Sequence, residues 1–210
     1  MSLAFDGNGD AVLVTSSSSI EISDNLSYSV WLKCGSQGVD DNIAVKWDTL
    51  GSFILSVESN NNRRLRIIVS DDGSYDVAHT KDWWTTNDVL TASGWAHVVF
   101  TFASGSLKLY VNGTEITAFT KNFDPNITSL YTGNEVLKIS TANANAWTGE
   151  MVNISIWDTA VLSQADITAL YNSGVPIDPR NLRGSSANLA SAWLWNRNIV
   201  YPTIKDNIKY

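Results

Sequence analysis

Cysteine, charge and long hydrophobic runs are all scarce in this chain, and each scarcity excludes a class of protein. The 210 residues contain one cysteine, so no disulfide can form within the chain. Only 17% of the residues are charged against 44% hydrophobic, which argues against intrinsic disorder. The net charge of -7 argues against nucleic acid as a partner, because nucleic-acid binding needs a basic surface. No hydrophobic run is long enough for a membrane span, so no membrane insertion is predicted.

The N-terminal sequence MSLAFDG has neither the basic region nor the apolar region of a secretory signal peptide, so no leader is expected. Cys34 follows Leu32 and Val30 at a spacing of two residues. This phase predicts a small buried hydrophobic side chain rather than a reactive thiol.

The clearest structural signal lies in residues 94–118, where alternating runs are joined by short turns. The Asn112-Gly113 pair is a strong hairpin signal and sets Val111 opposite Thr114. One face of this hairpin is predicted to be core: Leu107, Leu109, Val111, Ile116 and Ala118. The other face is predicted to meet water: Lys108, Tyr110 and Glu115.

Short alternating or apolar runs predict the remaining strands, at residues 3–6, 11–15, 25–34, 43–47, 53–57, 65–70, 136–139, 147–157 and 189–195. A helix is predicted over 164–172, because Ser163 and Asp166 form a capping-box pattern and Gly174 suits the C′ position. The intervals 71–93 and 121–133 are predicted to be long loops. Many short strands with one late helix indicate an all-β, antiparallel jelly-roll β-sandwich. We expect one domain over 1–210, with 176–210 as its closing strand and tail.

Four motifs in a fixed order resemble one family. Phe5-Asp6-Gly7 precedes Asp10, Trp95-x-His97-Val98 precedes the hairpin, and the strand at 147–157 runs into the helix that follows Ser163. Together with the strand at 25–34, this order resembles the concanavalin A-like laminin-G jelly roll. The resemblance covers nearly the whole chain and implies the same β-sandwich.

A looser resemblance suggests a biological setting. Residues 171–174, 189–193 and 201–203 resemble laminin-G-like modules in structural proteins of tailed bacteriophages. The resemblance implies a place on the virion surface or fibre if the protein is phage-encoded, and otherwise an extracellular place within a larger protein. The partners it implies are virion proteins or further copies of the chain in a homo-oligomer.

Calcium is a possible cofactor by the same resemblance, since some family members hold it with acidic residues near the strand before the helix. Here Val152 and Asn153 stand at the acidic positions, which removes carboxylates that a hard cation needs. Asp6 and Asp10 remain candidate calcium ligands, and the alternative is that both carboxylates stabilise a turn.

Catalysis is not expected, because the chain lacks the paired carboxylates of a glycoside hydrolase. The five glutamates do not share a strand at short spacing, and the E-x-D-x-x-E pattern of related glucanases is absent. His97 belongs to the family's structural motif and His79 lies in a loop, so neither has a nucleophile beside it in the sequence. A polysaccharide lyase or glycoside hydrolase is the less favoured alternative.

Carbohydrate binding is the chemistry that the tryptophans favour, since a sugar ring can stack on an indole while polar groups bind its hydroxyls. The candidate site is the 71–93 loop, with Trp83, Trp84, Asp82, Asn87, Asp88 and Tyr75. The alternative is that the loop is held down by these rings. Several strand tryptophans also lie in phase with serines, and for them cover by loops or the tail is the favoured interpretation: Trp31, Trp157, Trp193 and Trp195.

The expected function is therefore a non-catalytic virion structural or surface protein with a lectin-like module that binds host polysaccharide. A free-standing carbohydrate-binding lectin is the alternative.

Overall fold

Two antiparallel β-sheets make up most of the structure. It is a computed structural model that describes residues 2–35, 41–58, 63–92, 94–141, 145–182 and 184–194, and the backbone of Ile208–Lys209. The strands are β1 (Leu3–Asp6), β2 (Ala11–Val14), β3 (Asn25–Cys34), β4 (Asn42–Trp47), β5 (Gly51–Val57), β6 (Leu65–Ser70), β7 (Thr80–Thr85), β8 (Trp95–Ala103), β9 (Ser106–Val111), β10 (Thr114–Ile116), β11 (Phe119–Phe123), β12 (Leu137–Ser140), β13 (Thr148–Trp157), β14 (Leu189–Trp193) and β15 (Ile208–Lys209). The helix α1 spans Gln164–Tyr171.

The strand order interleaves distant parts of the chain. The seven-stranded sheet has the order β1-β13-β3-β8-β9-β10, with β14 also paired to β13. The eight-stranded sheet has the order β11-β7-β6-β5-β4-β12-β2-β15. The predicted all-β antiparallel jelly-roll sandwich with one short helix is confirmed.

The inner faces of the two sheets share one hydrophobic core. At its centre Tyr28 of the seven-stranded sheet lies 6.1 Å, between ring centroids, from Phe53 of the eight-stranded sheet. Cys34 is buried in the same core, and burial raises the pKa of its thiol to about 11. The predicted role of Cys34 as a small buried hydrophobe is confirmed.

The central hairpin has the predicted register, with Val111 opposite Thr114 and Leu109 opposite Ile116. Two details differ from prediction. Ala118 is exposed, because β10 ends at Ile116. Tyr110 was predicted to meet water and is instead buried, because the helix packs over its face of the sheet.

Helix α1 covers the outer face of the seven-stranded sheet. The predicted capping box is present, since the Ser163 side chain accepts from the Asp166 amide and the Asp166 carboxylate accepts from the Ser163 amide. The C-cap residue of the helix is Asn172, which has φ 43°, and Ser173 and Gly174 follow with positive φ as well. Gly174, which was predicted at C′, therefore lies one residue beyond that position. A second apolar cluster fills the space below the helix: Val99, Tyr110, Trp157, Leu162, Ile167, Leu170 and Leu182. Within the described residues no helix is long and apolar enough to cross a bilayer.

The strand tryptophans are packing residues. Trp31 is buried on the outer face of its sheet, with its ring stacked 5.1 Å from His97 and 5.9 Å from Tyr171 of the helix. Trp157 lies in the cluster below the helix, and Trp193 joins the main core. Burial of the three rings is confirmed, but the predicted cover by loops or the tail is not what buries them, since Trp31 and Trp157 lie under the helix and Trp193 faces the main core. Trp195 lies outside the described residues.

Two strands occur where long loops were predicted. Thr80–Thr85 forms β7 and Phe119–Phe123 forms β11, and the two pair at the edge of the eight-stranded sheet. Both segments mix polar and aromatic residues, so neither has the apolar alternation that marks a half-buried strand. They are strands because of their neighbours, since β7 pairs with β6 and β11 pairs with β7.

We expect His97 to make the fold acid-sensitive. Burial lowers its pKa to about 3, whereas the unfolded chain binds a proton near pH 6.5. Between these two pH values the unfolded state binds more protons than the folded state. The free energy of unfolding that neutral His97 contributes is therefore complete above pH 6.5 and falls as the pH is lowered towards 3. His97→Gln should flatten the pH dependence of the free energy of unfolding, by up to about 1.4 kcal/mol per pH unit. Urea denaturation from pH 7 to pH 4 measures it.

His79→Gln is the matched control, because the His79 side chain is 44% exposed and its hydrogen bond with Asp71 raises its pKa. The acid sensitivity should persist in this variant. An unchanged slope in His97→Gln would assign the acid sensitivity to other groups.

Candidate functional site

The outer face of the eight-stranded sheet carries a row of side chains that the core does not use. The strand registers align Val45, Ile54, Ile68 and Asp82 across β4, β5, β6 and β7. Their chain neighbours, such as Leu55 and Ile67, point into the core, so this row points away from it. Apolar residues that are buried or half-buried therefore lead across this outer face to one buried carboxylate.

A β-bulge at the sheet edge places two further side chains beside that carboxylate. The register shifts between Lys121 and Phe123, so Asn122 and Phe123 of β11 lie opposite Asp82 of β7. The inserted residue re-aims its side chain, which is a common use of bulges at sheet edges. Both residues consequently reach the outer face.

Asp82 is the centre of a hydrogen-bond network of four residues, named here the Asp82 network: Arg66, Tyr75, Asp82 and Asn122. Arg66 donates to both carboxylate oxygens of Asp82, each at 2.8 Å, through Nε and Nη2. The Tyr75 hydroxyl donates to Oδ2 at 2.7 Å and Asn122 Nδ2 donates to the same oxygen at 3.1 Å. The Asp82 side chain is fully buried, and its charge is balanced within the network.

The network sets the protonation state of its acid. Burial alone would raise the pKa of Asp82, but the hydrogen bonds from Arg66 and Tyr75 and the Arg66 charge outweigh it and lower the pKa below the usual value. Burial and the hydrogen bond to Asp82 raise the pKa of Tyr75. At neutral pH the site therefore holds an ionised carboxylate and a neutral phenol.

Tyr75 contacts two other aromatic rings, and the three residues are named here the Tyr75 platform: Trp47, Tyr75 and Phe123. Phe123 meets the Tyr75 ring edge-on with the centroids 5.5 Å apart, and Trp47 meets it at 6.5 Å. The Tyr75 residue remains 48% exposed. The hydroxyl is anchored while part of the ring is open to solvent.

The segment 71–79 that carries Tyr75 is held by its own polar groups. Asp72 accepts from the Ser74 amide at 2.8 Å, and Asp76 accepts from the Ala78 and His79 amides. The Gly51 amide donates to the Gly73 carbonyl at 3.0 Å, which ties the segment to the start of β5. These bonds fix the position of Tyr75 before any ligand arrives.

The two predicted loop tryptophans lie on opposite faces of β7. Trp84 is on the outer face, where the Arg66 guanidinium carbon lies 6.0 Å from its ring centroid. Trp83 is on the inner face, packed against the core and Phe119, with Lys121 Nζ 3.9 Å from its ring centroid. Their predicted place in a loop is wrong, because the segment is a strand, and alternation along a strand separates adjacent residues.

Of the other four residues predicted for this site, two belong to the Asp82 network and two do not. Asp82 and Tyr75 meet in the network, whereas Asn87 and Asp88 are exposed in the turn after Thr85 and make no side-chain hydrogen bond to it within the described residues. Sequence reasoning missed Arg66, Asn122, Trp47 and Phe123. The alternation of β6 could have flagged Arg66 as its outward charge, but nothing in the sequence links Trp47 or Phe123 to Tyr75.

The candidate calcium ligands Asp6 and Asp10 both act in a turn. Asp10 accepts from the Asp6 amide at 3.1 Å and Asp6 accepts from the Asn8 amide at 2.8 Å. Calcium binding there stays a prediction. Within the described residues the group of three potential metal ligands with closely spaced donor atoms is Asp71, Asp72 and His79, and His79 Nδ1 already lies 2.9 Å from Asp71.

Comparison with known proteins identifies the family. A family model described as the concanavalin A-like lectin/glucanases superfamily matches residues 6–168. The chain belongs to this superfamily. The resemblance drawn from the sequence motifs is confirmed at this level, and a comparison with curated proteins finds no match.

Several solved structures share the fold of this chain. A candidate carbohydrate-binding protein of Bacteroides ovatus has a TM-score of 0.66 at 16% identity, covering 98% of this chain and 54% of its own. Domain 4 of the arabinanase AbnA from Geobacillus stearothermophilus, solved with arabinotriose, has a TM-score of 0.53 at 18% identity, covering 81% and 76%. A heptameric pentraxin of Limulus polyphemus has a TM-score of 0.54 at 16% identity, covering 91% and 94%. The present chain spans about half the length of the first of these proteins. Its similarity to all three is one of fold.

We expect the Asp82 network to contribute to stability. Asp82→Ala leaves the Arg66 guanidinium and the Tyr75 hydroxyl without their acceptor, so the free energy of unfolding should fall by about 3 kcal/mol at pH 7. The control is Asp178→Ala, because Asp178 pairs with Arg180 only two residues away. That change should cost about 1 kcal/mol. Urea denaturation measures both, and equal losses would show that Asp82 has no special structural role.

Proposed function

We propose that this protein is a non-catalytic carbohydrate-binding module that binds a sugar chain against the Tyr75 platform on the outer face of the eight-stranded sheet. One observation carries the proposal. An exposed tyrosine ring is anchored through its hydroxyl to the Asp82 network and flanked by two further aromatic rings. No core-packing role requires that arrangement, because the hydrophobic core lies on the other face of the sheet.

The chemistry of the platform suits a sugar. One face of a pyranose or furanose ring presents C–H groups that pack on an aromatic ring, while its edge presents hydroxyls. The Tyr75 ring offers the apolar surface, and the exposed Asn122 offers its amide oxygen as an acceptor, since its Nδ2 donates to Asp82. A rigid aromatic side chain loses little conformational entropy on binding, and the network has already restricted it.

The similar structures support the proposal without deciding it. One is described as a candidate carbohydrate-binding protein, and another was solved in complex with arabinotriose. Both share the fold at low identity, so neither indicates which surface of this chain binds or which sugar. The support that comes from this chain itself is the exposed Tyr75 platform.

The carboxylates favour binding over catalysis. A glycoside hydrolase needs a carboxylic acid with a raised pKa near a second carboxylate. Every described carboxylate with a resolved shift has a lowered pKa: Asp72, Asp76, Asp82, Asp124, Glu150 and Asp178. Asp82 also has four hydrogen-bond donors on its two oxygens, which does not suit a proton donor.

The virion setting and self-association predicted from residues 171–203 stay predictions. Tyr201 and its neighbours lie outside the described residues, and the heptameric pentraxin is similar in fold alone. Size-exclusion chromatography with light scattering would measure the oligomeric state, and a monomer at high concentration would count against self-assembly.

The binding site can be tested by removing the Tyr75 ring. In native affinity gels cast with polysaccharides, Tyr75→Ala should weaken retardation at least about tenfold, because the stacking surface is lost. Tyr75→Phe keeps the ring but not the hydroxyl bonds, so its loss should be smaller. Trp84→Ala should also weaken binding, through the lost support of Arg66.

Trp95→Ala is the matched control. Trp95 is an exposed tryptophan on β8 of the other sheet, and its removal should leave binding unchanged. Equal binding by Tyr75→Ala and the unaltered protein, in any polysaccharide that retards them, would exclude the Tyr75 platform as the site.

A further inference from the structure

The positive charges near the Tyr75 platform are already engaged. Arg66, the cation at its centre, makes a bidentate ion pair with Asp82. Lys81 and Lys121 lie on the opposite face of the sheet, where both pair with Asp124 beside Trp83. An incoming carboxylate or sulfate would have to compete with these ion pairs.

Arg64 and Lys138 are further cations on the described part of the outer face. Arg64 lies two residues before Arg66 and pairs with Glu58 at 3.8 Å, whereas Lys138 is distant. It occupies the same row as Val45 but lies four strands from Asp82, which corresponds to about 19 Å at the usual strand spacing. That separation exceeds the screening length of roughly 8 Å at physiological ionic strength. Lys138 therefore has little influence on the charge that a ligand meets at Tyr75.

The segment beside the platform is acidic. Asp71, Asp72 and Asp76 all lie within five residues of Tyr75 in the chain, and His79 is the one cationic partner in that segment. Hydrogen bonds from Ser74 lower the pKa of both Asp72 and Asp76, so both are ionised at neutral pH. The local field repels anions, in the same sense as the net charge of -7.

We infer that the Tyr75 platform selects neutral glycans and rejects those carrying carboxylate or sulfate groups. The inference rests on the proposed function and names the class of ligand for the same site. Neutral sugars need only an aromatic surface and hydroxyl partners, which Tyr75 and Asn122 provide. An acidic sugar would approach a site whose neighbouring segment carries the exposed Asp72 and the half-buried Asp76, while the nearest cation, Arg66, is already paired with Asp82.

The test compares neutral and acidic polymers at one ionic strength. Native affinity gels would contain debranched arabinan, xylan or mixed-linkage β-glucan as neutral probes, and polygalacturonate or heparin as acidic ones. The unaltered protein should be retarded by at least one neutral polymer and by neither acidic one. An Asp72→Asn/Asp76→Asn variant should be retarded by an acidic polymer at least threefold more than the unaltered protein, because two repelling charges are removed. The segment should keep its structure, since the amide oxygens can still accept its hydrogen bonds.

An Asp24→Asn/Asp158→Asn variant is the control, since it changes the net charge equally at exposed or half-exposed positions that make no contact with the Asp82 network. It should show no such gain. Retardation of the unaltered protein by an acidic polymer that Tyr75→Ala abolishes would overturn the charge selectivity while leaving the proposed function intact. Retardation by none of the five polymers would count against both, and retardation insensitive to Tyr75→Ala would reject the site.

Discussion

The packing of the inner faces of the two sheets against each other is the constraint on which the rest of this structure depends. Residues such as Tyr28 from one sheet and Phe53 from the other meet in one core, and burial of their apolar surface is the main favourable term in folding. Each sheet then has an outer face that the core does not need. The helix packs on one outer face and the candidate site lies on the other.

The helix packs on the outer face of the seven-stranded sheet, whereas on the outer face of the eight-stranded sheet the Tyr75 residue remains 48% exposed. On the covered face Trp31, His97 and Tyr171 stack on one another, so aromatic residues serve packing. On the outer face of the eight-stranded sheet Tyr75 is anchored by the Arg66–Asp82 ion pair, in which the Asp82 side chain is fully buried. A buried pair is weak evidence for stability, because desolvation of both charges opposes their attraction. Its value here lies in orientation, since Arg66 and Asp82 hold the tyrosine in one position.

The parts of the fold that local patterns specify were predictable from the sequence. The Asn112-Gly113 turn determined the hairpin register, because a two-residue turn allows few pairings. Ser163 and Asp166 determined where the helix begins, because they satisfy its first amides. Long alternating segments such as Asn25–Cys34 were strands at the predicted bounds, because their period matches a sheet with a buried face.

The sequence by itself determined the sandwich and its superfamily, whereas the tertiary structure alone decided where the candidate site lies. Strands β7 and β11 form because a neighbouring strand satisfies their backbone groups, and their own residues give no periodic signal. The bulge that brings Asn122 to Asp82 depends on that pairing. Trp47, Tyr75 and Phe123 come from separate segments of the chain and meet only because sheet order and register bring them together, which no local pattern can encode.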